Sequence, residues 1–152
     1  IRGRKRLWVY PNREPYLRPE HLEAVVRGVT EEEIPYEPWF DEHARLLDLQ
    51  PGDMLHWPMN GPHRVVNHDC LNVSLTLEHW DREILRSYLM NMGNGILRGQ
   101  LGWQPRSRAI TGPGFWAKAG LAAFWRASGL QQRQRYRRDG KVRIDELAVA
   151  GS

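Results

Sequence analysis

The residues best placed to do chemistry lie between Gly52 and Asn67. Gly52 suits a tight turn into a strand. Pro58 ends that strand, and Asn60-Gly61 supplies the positive-φ positions for a return. His63 then falls at the first position of the next strand, where alternation puts it on the face of Val65 and Asn67. If Val65 faces an interior, so does the His63 imidazole. A neutral imidazole in such a place is a good ligand for Fe(II), Mn(II), zinc or nickel. The competing reading of His63 is a buried, hydrogen-bonded histidine with no metal. His56 alternates with Met54 and Pro58 and reads as surface or as a supporting position. His43 and His68 are loop residues with no partner at ligand spacing.

The whole segment resembles the second conserved motif of the cupins. The intervals Gly52 to Pro58, Pro58 to His63 and His63 to Asn67 all match, and Gly61 is displaced by one position. The wider chain looks like the bacterial cupin-like proteins related to JmjC-type 2-oxoglutarate oxygenases. The resemblance covers residues 1–80. It implies that Lys5, in the run Gly3-Arg4-Lys5-Arg6, binds the far carboxylate of 2-oxoglutarate. It implies that His63 is the last ligand of a 2-His-1-carboxylate Fe(II) site, and that Trp80 is an aromatic beside the co-substrate pocket. Without the resemblance, Lys5 reads as a solvated strand lysine among arginines. The resemblance also requires a His-x-Asp/Glu pair before the lysine, and residues 1–44 supply none there. His21-Leu22-Glu23 has the letters but follows Lys5 in a polar, helical stretch. His79-Trp80-Asp81 follows His63 at a strand-to-helix junction, where Asp81 reads as a helix cap. A chain opening on Ile reads as a fragment whose ligand pair is encoded upstream; the other expectation is that the pair has been lost.

Several elements must position these residues. Residues 3–10 read as a strand, stopped at Pro11-Asn12. Residues 12–43 are rich in proline and charge and read as an excursion, with a short helix from Pro19 to Val26 and a further turn opened by Thr30. From Ala44 the pattern has period two. Strands are expected over Ala44–Leu49, Met54–Trp57, His63–Asn67 and Leu71–Glu78. The expected fold is therefore mainly β with α: part of a double-stranded β-helix, the cupin or jelly-roll type, followed by C-terminal helices. Asp81 opens a helix through Arg82–Met92, and Gly93-Asn94-Gly95 is expected to break it. Phe115–Ala127 forms a second helix, apolar nearly all round, of the kind covered on more than one side. Trp103, Trp116 and Trp125 read as helix packing. The expected divisions are 1–80 for the barrel part, 81–130 for a helical appendage and 131–152 for a basic polar tail. Through 81–130 a homodimer is expected.

At 152 residues the chain suits one domain with a real core. No run of 18 apolar residues occurs, so no membrane span is expected. The single cysteine, Cys70, excludes an internal disulfide framework and suits a reducing, cytoplasmic setting. The net charge of +4 is uneven, gathered at the first turns and in the tail. It is read as solvated surface rather than a nucleic-acid interface, because no zinc-finger spacing or recognition-helix pattern accompanies it. The functional expectation is an Fe(II)/2-oxoglutarate-dependent oxygenase, its substrate unnamed by the fold. The alternative is a non-catalytic cupin-like binding or regulatory protein without a complete metal triad.

Overall fold

The computed structural model describes residues 3–30, 34–68 and 71–131. Cys70, the acidic run Glu31-Glu32-Glu33 and the basic tail lie outside them. The first strand, β1 (Lys5–Val9), is central to one antiparallel sheet with β2 (Arg45–Leu49) and β3 (His63–Asn67), in the order β2-β1-β3. All three strands fall where period two places them. The register pairs Lys5 with Leu49 and Asn67, Leu7 with Leu47 and Val65, and Val9 with Arg45 and His63. Opposed residues share a face, so Lys5, Leu7, Val9, His63, Val65 and Asn67 stand on one side. Arg6, Trp8, Asp48 and Arg64 stand on the other.

The helices form a second assembly. α1 (Pro19–Arg27) packs on α2 (Arg82–Leu101), which packs on α3 (Gly112–Ala127). Pro19 sits at the first turn of α1, where its missing N–H costs nothing. Asp81 caps α2 as expected, its Oδ1 accepting from the Ile84 N–H at 2.7 Å. Gly93-Asn94-Gly95 does not break α2, which runs on to Leu101. At these glycines the neighbouring helices come close. A Cβ on Gly93 would lie 2.6 Å from Lys118 Cβ, and one on Gly95 would lie 3.0 Å from the Glu23 carbonyl oxygen. Glycine's loss of helix propensity is about 1 kcal/mol relative to alanine, and the close packing it permits offsets that loss.

The expectation of a mainly β fold, a partial double-stranded β-helix, is overturned. Helix accounts for 43% and strand for 13% of the described residues, and the strands make one three-stranded sheet. Two of the expected strands lack a ladder. Met54–Trp57 lies in irregular chain between Pro51 and Pro58, and prolines withdraw ladder donors. Leu71–Glu78 alternates correctly but makes only an isolated bridge at Val73. Alternation shows that residues suit a pleated, half-buried surface; it does not supply the strand that pairs with them.

Residues 12–43 are also more than an excursion. Tyr16 and Phe40, the latter in a 3-10 turn over Pro38–His43, bury with Tyr10 into one core cluster. Two further clusters tie the helices, Met90 with Phe115 and Ala119, and Met92 with Ile96 and Ala122. Of the three tryptophans expected to pack the helices, Trp125 does so, while Trp103 and Trp116 are exposed.

Candidate functional site

The turn before β3 sets the position of His63. Asn60 takes a left-handed conformation at φ 59°, and the Gly61 N–H donates to the Pro58 carbonyl at 2.9 Å. Asparagine tolerates that conformation better than most residues with a side chain. The Tyr10 N–H then donates to the Pro62 carbonyl at 2.9 Å, extending the β1–β3 pairing by one residue. His63 Nδ1 lies 3.0 Å from the Gly61 carbonyl oxygen, and its ring tilts against Trp57 with centroids 5.1 Å apart. A carbonyl only accepts, so Nδ1 is the donor of this contact, and in the neutral ring the lone pair is then on Nε2. That is the form a metal ligand or a proton acceptor uses.

Lys5 is four residues from Val9, the residue opposite His63, so the two side chains share a face roughly 13 Å apart along the strand. Lys5 Nζ donates to the Ser74 hydroxyl at 2.6 Å, and Asn67 stands opposite Lys5. The chain over 71–74 passes so near β1 that a Cβ on Gly3 would lie 2.5 Å from the Leu71 carbonyl oxygen. Trp80 is placed elsewhere. Its ring meets Tyr88 of α2 edge-on at 5.8 Å, and its Nε1 donates to Glu78 at 3.3 Å. Among the described residues no ring contact or hydrogen bond joins Trp80 to Lys5 or His63.

Neither His-x-acid triplet reaches His63. Glu23 is buried on α1, where it receives Arg98 Nε at 2.9 Å and Arg108 at 3.5 Å. Asp81 is occupied as the cap of α2. His43 packs against Tyr16 and Trp39, and His68 donates its backbone N–H to Arg4. Among the described residues no three His, Cys, Asp or Glu side chains gather as a metal site. An Fe(II) facial triad needs three protein donors, and the described residues offer His63 alone. Iron does not fit this donor set by itself.

A second constellation occupies the opposite side of the sheet. The Tyr10 hydroxyl donates to Asp41 at 2.7 Å and receives Arg64 Nε at 3.3 Å, while Arg64 also pairs directly with Asp41. The Arg64 guanidinium lies 3.8 Å from the Trp8 ring centroid and 5.3 Å from that of Tyr36, inside the range of cation–π attraction. Burial pushes the Asp41 carboxyl up, but the Tyr10 and Tyr36 hydroxyls and the Arg64 charge outweigh it and hold it below the usual carboxylate range. Burial raises the Tyr10 phenol; Asp41 adds to that rise and Arg64 opposes it. Beside this cluster is a cavity of about 270 Å³, lined by Tyr10, Tyr16, Tyr36 and Phe40 together with His63 and Arg64. Its components come from positions 10, 41 and 64, far apart in the chain. The available signal was the run of aromatic residues Tyr16, Tyr36, Trp39 and Phe40, in a segment that composition marks as a loop.

Among known proteins, no family model matches this chain, and no curated protein or solved structure is detectably similar to it.

Proposed function

We propose that the β1–β3 face bearing Lys5 and His63 binds a small 2-oxo diacid of the 2-oxoglutarate class. The observation that carries this reading is the register, which sets an ammonium and an imidazole on one face, four residues apart along the strands. Lys5, the Ser74 hydroxyl and the facing Asn67 would hold the far carboxylate through charge-assisted and neutral hydrogen bonds. His63, oriented by the Gly61 carbonyl, would meet the 2-oxo acid end. In the oxygenases that residues 1–80 resemble, Fe(II) supplies oxygen chemistry at that end. One imidazole is not a facial triad, so no oxygenation step is assigned to the described residues. A non-catalytic binding or regulatory role is favoured by Glu23 and Asp81, whose carboxylates are spent on helix packing and capping. The single cysteine agrees with a cytoplasmic setting. No helix among the described residues is long and apolar enough to cross a membrane.

The reading extends to a homodimer through residues 81–130. α3 exposes Trp116, Ala117, Gly120, Ala123 and Phe124, with Trp116 63% and Phe124 66% exposed. This stripe is symmetric about Gly120, with an aromatic four residues to either side and an alanine three to either side. A two-fold contact needs that self-complementarity.

The test is calorimetric titration with 2-oxoglutarate, with and without Fe(II) under anaerobic conditions, for the native protein and for Lys5→Met and His63→Ala. The expected result is saturable binding that Lys5→Met weakens by at least about tenfold, the effect of losing one charge-assisted contact. Absence of binding, or binding indifferent to Lys5→Met, would overturn the assignment. Iron-dependent turnover of 2-oxoglutarate, lost in His63→Ala, would instead establish the oxygenase.

A further inference from the structure

We propose that the aromatic-walled cavity on the Arg64 side of the sheet is a second binding site, shaped for a one-ring aromatic carboxylate. Its volume of about 270 Å³ is just below the usual range for drug-sized ligands, and suits one ring with a short substituent. The walls are preformed: Tyr10, Tyr16 and Phe40 are each 7% exposed or less. Their rings already meet edge to face, Tyr16 with Phe40 at 5.0 Å and Tyr10 with Phe40 at 6.0 Å. A further ring entering such a cleft finds the offset and edge-on contacts that aromatic pairs prefer.

The charges decide which aromatic ligand fits. Tyrosine-rich cages often take cations, but here a cation is built in. Arg64 lies over Trp8 and beside Tyr36, so those ring faces are already in use and a second positive charge would be repelled. Asp41, the acid paired with Arg64, already accepts from the Tyr10 hydroxyl and from Arg64 itself. Arg64 uses Nε and one terminal nitrogen in these contacts. Among the described residues, its Nη1 makes no hydrogen bond. A planar guanidinium with donors to spare, at one end of the cavity, is a receptor for a carboxylate. Apolar walls and one cationic end together specify the ring and the acid.

Arg64 stands on the opposite side of the sheet from Lys5, and Arg64 and Tyr36 test the site without touching Lys5. The probes are phenylacetate, acetate as the acid without a ring, and benzylamine as the ring with the opposite charge. Binding is read by calorimetry and by the rise in Tm that ligand binding to the folded state produces. Phenylacetate is expected to bind saturably and the other two not. Arg64→Lys, which keeps the charge but loses the planar fork, is expected to weaken phenylacetate by at least about tenfold. Tyr36→Ala removes a half-exposed wall without opening the core, and is expected to weaken it as well. Lys5→Met should leave phenylacetate binding unchanged. The proposal is overturned if native protein does not bind phenylacetate, if benzylamine or acetate binds equally, or if neither variant weakens it.

Discussion

Replacing Glu23 by glutamine, Glu23→Gln, should cost this fold more than any single surface change, and the structure sets the amount. Glu23 is 1% exposed and its two oxygens receive Arg98 at 2.9 Å and Arg108 at 3.5 Å. Removing one partner of a buried pair typically costs about 3–5 kcal/mol, because the other charge is stranded. Two features reduce that figure. Glutamine keeps one acceptor, enough for the nearer Arg98 bond at about 1 kcal/mol. Arg98 and Arg108 retain 22% and 38% exposure, so water reaches both. Its amide nitrogen, however, would face Arg108 donor to donor. The net loss is about 2–3 kcal/mol, which for a chain of this length lowers Tm by roughly 5–10 °C. The control is Glu20→Gln on the same arginine: Glu20 lies 3.4 Å from Arg98 but is 48% exposed, and such pairs are worth about 0–1 kcal/mol. Thermal unfolding of both variants by circular dichroism settles the matter. If Glu23→Gln melts within about 2 °C of Glu20→Gln, a shift of less than 1 kcal/mol on this scale, the helix interface does not depend on the buried carboxylate.

Two further outcomes are expected. Asp48 is held low by its hydrogen bond and charge contact with Arg6, and Asp41 is held low because the Tyr10 and Tyr36 hydroxyls and Arg64 outweigh the upward push of burial. A depressed carboxylate contributes stability that is present above the ordinary value, about pH 4, and lost as pH falls through the depressed one. The fall in Tm between pH 5 and pH 2.5 should therefore be shallower for Asp41→Asn with Asp48→Asn than for the native protein; equal slopes would show that neither carboxylate is held low. For the homodimer, Phe124→Glu should convert a dimer to a monomer in sedimentation velocity at micromolar concentration. A native chain that sediments as a monomer would remove the reading of α3 as a self-complementary face.

The strands and helices that carry the site were legible wherever a local period sufficed. Leu7 and Val9 alternating with Trp8 marked β1, and Pro19 at a first turn marked α1. Asn60-Gly61 marked the return that delivers His63. The errors arise where local pattern and partner part company. Leu71, Val73, Leu75 and Leu77 alternate as well as any strand in the chain, yet among the described residues no ladder receives them. Gly93 and Gly95 carry a breaker's propensity, and α2 continues through them because α1 and α3 need that clearance. Glu23 sits in a helical stretch that composition calls polar and exposed. Its burial follows from Arg98 and Arg108, 75 and 85 positions away.

The same division runs through the candidate sites. The turn that holds His63 lies within a few residues of it, and a spacing rule finds it. The placement of Lys5 on the same face requires β1 to pair with β3 across more than fifty residues, in one register. A slip of one position would turn Lys5 to the opposite face. The Arg64 cavity demands still more, since Tyr10, Asp41 and Arg64 meet only when the sheet and the 3-10 turn are both in place. In the sequence, none of these three residues is marked by its neighbours as part of a site. Their joint meaning comes from a guanidinium that is stacked, paired and still has a donor free beside a ring-lined cavity. The Arg64 cavity therefore stands on contacts that no local pattern encodes, whereas the histidine of the Lys5 face stands on a turn that residues 58–61 specify on their own.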